Sequence, residues 1–539
     1  MEKQKYNIKR PLRGFIVGLL AVLSACAAAC GQQSPWVYRG ADGRLVYRTT
    51  PRGDRIMDFS YAGYMGGGVA IPDVAVKATV GPSGSGDDTS AIQAAIAKVS
   101  ALPLVGKFRG AVLLEPGTFY CDQPLNIAAD GVVLRGSGDQ AGKGGSTIFL
   151  TGKPHIGITV RRLRGGRGRR RNVTRADVFN SPEAMESPIT DAYVPSGSMS
   201  FHVADASRFA VGDYVAICKP VTQAWVDFMQ MNDLVRGGKH QTWLKVPGYL
   251  ITQRRISAIV GNTITLDVPL SDSLDERYLD PPGPKLVRTP PTTQPSQIGI
   301  EDLRIQSPPQ RINHSKPHFS AIAMDGQDCW MRDLFIQDTM NSVGVNGQRI
   351  TLQRVAILRT VPHIGASKPA EFSPNGTQIL MDRCSVRADN VWFAATGAGF
   401  AGPIVLLNCD FYGDSAAESH QRWSTGILYD NCVVPDGGIT IRDRGSMGSG
   451  HGWTMGWGVI WNCRARDYIV QNPPGALNWL IGSIGQADRA AQPFAARPLL
   501  PQGTIESPGK PVKPQSLYLT QLAQRLGPQA VRNLGYSWP

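Results

Sequence analysis

Two neighbouring stretches gather the side chains best suited to chemistry, GDSAAESHQRWSTG (413–426) and IRDRGSMGSGHGW (441–453). The first holds Asp414, Glu418, His420, Gln421, Arg422 and Trp423; the second holds Arg442, Asp443, Arg444, His451 and Trp453. Histidine moves protons near neutral pH, and arginine neutralises a carboxylate bidentately, which lysine does less well. Together they suit removal of a proton beside a carboxylate, as in β-elimination from a uronate, where a cation stabilises the developing enolate. On that reading His420 is the base and Arg422 and Arg444 complete the catalytic set. Arg442, Trp423, His451, Trp453, Lys368 and Gln421 are then substrate contacts. Hydrolysis would instead need two carboxyl groups flanking one bond, and Asp389, Asp410, Asp414, Glu418 and Asp443 are the candidates. Ordinary ion pairing, for example Glu418 with Arg422, accounts for the same residues without any site.

These stretches sit inside a repeat. VLLNCDF (405–411), LYDNCVV (428–434) and VIWNCRA (460–466) share one frame with segments around Leu303, Leu334, Val355 and Cys384. The seven anchors, Leu303, Leu334, Val355, Cys384, Cys409, Cys432 and Cys463, are 21 to 31 residues apart. A period of this length signals a solenoid or array. Each unit is a short apolar and polar alternation followed by turn residues, which is a strand and then a bend. Strands repeated without helices between them predict a parallel β-helix whose rungs stack about 4.8 Å apart. The repeated cysteines then form an interior ladder. Asn408, Asn431 and Asn462 form a second ladder at the bend, each amide donating to the next. Offsets from the anchors place His314 with His420, and Lys316, Lys368 and Arg422 together, with Arg442 and Arg444 close by, as one basic stripe.

The segment GSGDDTSAIQAAIAKVSAL predicts a helix N-capped by Asp87 or Asp88 with Ile92, Ala95, Ile96 and Val99 on one face. Such a helix plugs the open end of a β-helix. The following GAVLLEPGTFYCDQPLNIAADGVVLRGSGD predicts three strands divided by turns. Residues 86–97, 110–120 and 131–138 resemble the opening of the pectate-lyase-like superfamily, with its capping helix, strand and turn, and first rung. The resemblance implies a right-handed parallel β-helix and action on polysaccharide, and among its lyases a Ca²⁺ between substrate and carboxylates. Glu418 and Asp414 are the nearby candidates for such an ion. The same fold carries lyases, hydrolases, epimerases and tailspikes, so it does not set the chemistry.

The N-terminus reads as an export signal, with Lys3, Lys5, Lys9, Arg10 and Arg13 before a short apolar run. LSAC (23–26) resembles a bacterial lipobox, which implies lipidation at Cys26; Cys30 is a second choice, and free secretion is the alternative. Ala27 after that cysteine favours the outer membrane by the same resemblance. Seven further cysteines follow in a compartment that permits disulfides.

With 56 Lys and Arg against 42 Asp and Glu, the formal net charge is +14. A basic exported protein favours anionic partners, and acidic polysaccharide is the candidate there. Nucleic acid is not expected, because no aromatic interleaving of a base-stacking groove is present. The Arg-rich run at 161–175, with eight Arg in fifteen residues, reads as a solvated loop that could grip a polyanion.

The expected organisation is all-β. Residues 1–25 form a signal peptide, 26–54 a linker, and 55–160 the first rungs with their capping helix. Residues 161–290 carry the Arg-rich loop and a small β-rich insertion, whose connector holds Trp225, His240 and Trp243 as possible sugar contacts. The main rungs and groove span 291–485, and 486–539 is a tail with a short helix of Leu517, Leu519, Leu522 and Leu526. A non-catalytic glycan-binding surface lipoprotein is the third reading beside lyase and hydrolase.

Overall fold

The computed structural model describes residues 32–140, 144–162, 178, 185–494 and 499–538. The expected lipidation site at Cys26, the signal segment and most of the Arg-rich run lie outside the described residues. No described helix is long and apolar enough to cross a membrane.

Twenty-five strands wind into one parallel coil with three faces. The first face includes Thr377–Asp382, Ala401–Leu407, Ser424–Asp430, Val459–Trp461 and Trp479–Ile481, each hydrogen-bonded to the next. A left-handed corner then leads to the second face, and a longer loop leads to the third. The repeat anchors stack in register at that first corner: Leu303 pairs with Leu334, and Leu334 with Val355. Asp302, Asp333, Arg354, Arg383, Asn408, Asn431 and Asn462, each one residue before its anchor, have φ between 50° and 56°. Asn and Asp tolerate this region better than other non-glycine residues, which is the physical reason for the Asn-Cys pair.

The cysteines point inward. Cys384, Cys409, Cys432 and Cys463 are buried and free. Their thiols donate to the carbonyls of Leu352, Met381, Leu406 and Tyr429 on the preceding rung at 3.5, 3.5, 3.3 and 3.4 Å. The asparagine amides do not donate to one another as expected. They reach outward to the C-terminal segment, Asn408 to the Tyr536 hydroxyl and Asn431 and Asn462 to the Gln515 carbonyl. At φ near 50° the side chain leaves the coil, so it binds what covers the corner.

The N-terminal helix, Thr89–Ser100, buries Ile92, Ile96 and Val99 in the same core as the coil interior. Asp88 occupies its N-cap position, yet its carboxylate accepts from the amides of Ser83 and Tyr120. Asp87 accepts from the Thr89 amide instead. The segment after the helix forms four strands, Gly110–Leu114, Gly117–Cys121, Leu125–Ile127 and Val132–Arg135, where three were expected.

The first face is apolar on both sides, as parallel sheets covered on both faces are. Its outer side, including Leu380, Val405, Leu407, Leu428 and Trp461, joins a second core with the two termini and the insertion. The supposed linker is part of that cover: Val37–Arg39 and Leu45–Tyr47 pair as a hairpin, and Trp36, Val37 and Leu45 are buried. The tail adds a further strand, Thr504–Glu506, so the coil runs past residue 485. Helix Leu517–Leu526 buries Leu517, Leu519 and Leu522, while Leu526 is exposed. Ser516 caps the helix and, with the Tyr518 amide, donates to the buried carboxylate of Asp430.

The insertion is a six-stranded sheet made by antiparallel pairing of strands between Glu186–Pro188 and Lys285–Thr289. Its buried Arg254 donates to the carbonyls of Val268, Gln253, Pro269 and, across to the coil, Gly402. Trp225 and Trp243 are buried beneath it.

In urea unfolding, Asn408→Val should cost roughly 1–3 kcal/mol more than Asn408→Gly, because both lose the Tyr536 contact but only valine is strained at positive φ. Burial pushes the Asp430 carboxyl up to about 7. The folded state therefore holds this proton more tightly than the unfolded chain, and Asp430's contribution falls as pH rises from about 4 to 7. Asp430→Asn should remove that part of the slope in unfolding measured across this range.

Candidate functional site

The third face carries Trp392–Thr396, Ala416–Ser419 and Val433–Ile441 on successive rungs. Strand alternation puts Ala417 in the core and Glu418 on the outer side. Ala395, Glu418 and Thr440 stand in one row, and Trp392 neighbours the small Ala416. Trp392 is therefore a half-buried indole with little beside it on that rung.

Glu418, His420 and Arg444 come together as the sequence suggested. The Glu418 carboxylate accepts from His420 Nδ1 and, at 2.9 Å, from Arg444 Nη1. Arg444 Nη1 also lies 2.6 Å from His420 Nδ1, 3.3 Å from Nε2 and 3.1 Å from the His420 carbonyl. Glu418 and Arg444 are buried, with side chains 3% and 6% exposed, whereas the His420 side chain is 23% exposed. Glu418 and Arg444 both meet the Nδ1 edge of the ring, which fixes the orientation of the imidazole. Burial lowers the Arg444 guanidinium's affinity for its proton, and Glu418 opposes that shift.

His451 stacks at a tilt against His420, with ring centroids 4.7 Å apart. Burial, then the charges of His420, Arg444, Arg422 and Arg236, push it down to about 3, so it is neutral at ordinary pH. Trp392 lies 5.9 Å from His420, with the Arg444 guanidinium 5.3 Å and the Lys368 ammonium 5.2 Å from its ring centre. Lys368 donates to Ser415 Oγ at 3.3 Å. Arg422 donates to Ser449 and Gln421, and Arg442 to the carbonyls of Asp443 and Ala491. Among the described residues, Lys368, Arg422 and Arg442 form no salt bridge.

Other expected members stand elsewhere. Trp423 and Trp453 are buried at 3% and 4% exposure, with their indole N–H groups on Asp272 and the Met229 carbonyl. Each packs under the insertion and offers no face to a sugar. Two glycines nearby admit the insertion: a Cβ on Gly452 would stand 2.3 Å from the Trp243 ring, and one on Gly450 2.9 Å from the Thr242 carbonyl oxygen. His314 lies at the Lys368 end of the stripe rather than beside His420, with its Nε2 2.9 Å from Ser367 Oγ. His314 also lies 5.4 Å from His363, whose Nε2 accepts the His314 amide. Trp392 was missed because the adjacent Phe393 has the same apolar signal, and only register decides which ring points inward.

The calcium expectation does not fit these residues. Asp414 accepts from the Asn390 amide and the Ser415 hydroxyl, and Glu418 already holds a guanidinium. No group of three or more His, Cys, Asp or Glu able to hold a metal occurs among the described residues.

No family model matches this sequence. No curated protein matches it either. Among solved structures, the chain is similar to the Gp54 tailspike of Acinetobacter baumannii bacteriophage AP22, solved with a capsular saccharide, at 11% identity and TM-score 0.31. That match covers 78% of this chain and 66% of the tailspike. The tailspike gp49 of Pseudomonas phage LKA1 is similar at 12% identity and TM-score 0.32, covering 78% and 70%. The A-module of the Azotobacter vinelandii mannuronan C-5 epimerase AlgE6 is similar at 12% identity and TM-score 0.27, covering 79% and 95%. At these values the likeness assigns neither activity nor substrate.

Removing one partner of a buried ion pair leaves the other charge uncompensated. Arg444→Met should therefore cost about 3–5 kcal/mol in chemical unfolding, and adding Glu418→Gln should recover part of it.

Proposed function

We propose that this chain is an exported lyase that cleaves an acidic, uronate-containing polysaccharide by β-elimination. The observation that carries this reading is a group of cations that form no salt bridge among the described residues, Lys368, Arg422 and Arg442, on the same stretch of the coil as a carboxylate-oriented imidazole and a half-buried indole. Such a surface favours an anionic ligand, and an indole face favours a sugar ring. His420 takes the proton from C5, and its electron pair forms the C4=C5 double bond. The C4–O4 bond breaks, and the leaving oxygen takes a proton from solvent. Lys368 and Arg422 neutralise the uronate carboxylate, which makes the C5 proton easier to remove. Export rests on the N-terminal sequence, with Cys26 as the point of lipid attachment at the outer membrane.

Hydrolysis finds less support. It needs two carboxyl groups free to flank one bond, whereas Glu418 is held by Arg444 and Asp443 accepts from Gly445 and Gln492. No step of this proposal uses a metal ion.

The test is incubation of the exported chain with a panel of acidic polysaccharides, following ultraviolet absorbance and new reducing ends together. Elimination predicts that both rise, and that His420→Gln loses about 10²–10⁴-fold in turnover while still binding substrate. Reducing ends without absorbance would establish hydrolysis, and binding without either signal would establish a non-catalytic glycan-binding protein.

A further inference from the structure

The corner that carries His420 is strained. Arg422 and Trp423 are consecutive non-glycine residues at φ 52° and 57°. A bulky residue keeps such a backbone only where its surroundings over-determine it. Backbone bonds supply part of that restraint: Arg422 and Trp423 donate to the carbonyls of His451 and Trp453, and Gly399 donates to the Arg422 carbonyl.

The rest comes from the insertion. Trp423 Nε1 donates to Asp272 Oδ2 at 2.8 Å, and the same oxygen accepts from Lys219 Nζ at 2.9 Å. Lys219 also donates to the Ser273 carbonyl and lies 4.5 Å from the Trp225 ring centre and 5.5 Å from that of Trp423. On the coil side Trp423 lies on Gly456, where a Cβ would stand 2.8 Å from its ring. The indole is thus fixed on both sides, three residues from His420. A buried ion pair is a weak source of stability because both charges lose water, and its clearest use is to specify one arrangement over others.

We propose that the Lys219–Asp272 pair of the insertion positions the His420–Arg422 corner through the Trp423 indole, so that the insertion sets the geometry of the catalytic group. Lys219 and Asp272 are positioning residues, and their role in turnover rests on the function proposed above. The ion pair anchors the acceptor, the acceptor anchors the indole, and the indole fixes the corner from which His420 and Arg422 project.

The experiment compares Asp272→Ala, Asp272→Asn and Trp423→Phe in the full chain. Asp272→Ala and Trp423→Phe should each lower kcat by about tenfold or more with KM within about twofold, and the double variant should be no worse than the poorer single one. Asp272→Asn keeps an acceptor for the indole and should recover part of kcat. An independent readout is the rate of diethyl pyrocarbonate modification at His420, mapped by mass spectrometry. It should change about threefold or more in Asp272→Ala and Trp423→Phe and stay constant at the exposed His202. A fall in Tm with unchanged kcat and unchanged labelling would overturn the proposal. If the wild-type chain shows no turnover, the lyase reading fails, and the labelling alone decides whether the insertion positions His420. Should Asp272→Ala not fold, Trp423→Phe, which removes the N–H donor and narrows the ring, decides the matter through the labelling of His420.

Discussion

The left-handed residue before each repeat anchor is the constraint on which this architecture depends. It turns the chain sharply from the first face to the second, and the next residue then points into the core. Because these seven rungs turn at the same place, the strands on either side stack with their hydrogen bonds in register. A thiol fits the interior side of this corner, since it is small, apolar and able to donate weakly to the rung before it. On the exterior, the polar residue at the turn is free to bind whatever lies across it. The C-terminal segment uses that opportunity at three successive rungs.

This arrangement divides the molecule into one side that is covered and another that keeps an accessible stretch. The first face is buried on its outer surface by the terminal hairpin, the C-terminal helix and the antiparallel insertion. Several charged groups sit in that interface, and each is matched: Asp430 by the N-terminus of the Leu517–Leu526 helix, Arg254 by a set of carbonyls, and Lys219 by Asp272. Unpaired groups there would be costly in a low-dielectric setting. The third face is the contrast. Around Trp392 the cations outnumber their carboxylate partners, which is the arrangement expected of a surface that receives charge from a ligand rather than from its own chain.

The insertion links the two sides. It presses on the coil where the strained Arg422–Trp423 corner turns from the third face back to the first, so what looks like a cover over one face also touches the backbone that presents His420. The same contact explains Gly450 and Gly452, whose missing side chains admit Thr242 and Trp243 of the insertion.

Periodicity by itself determined the solenoid, because a strand repeated with a bend at a fixed offset can bury its apolar residues only by stacking on its own copies. The N-terminal helix was legible from its apolar spacing, and the clustering of Glu418, His420 and Arg444 from their positions on adjacent rungs. What the sequence left open were quantities set by register and by long-range contact. The partner of His314 was open because a loop's length does not say where it rejoins the sheet, and the ring lies against His363 and Ser367 rather than His420. Trp423 and Trp453 looked like sugar contacts because a tryptophan carries no sign of what will cover it, and here the cover comes from about two hundred residues earlier. Trp392 was hidden beside Phe393 because alternation fixes that neighbours point opposite ways but not which of them points in. Tertiary structure decided all three, since burial and facing depend on partners that the chain brings together only when it has folded.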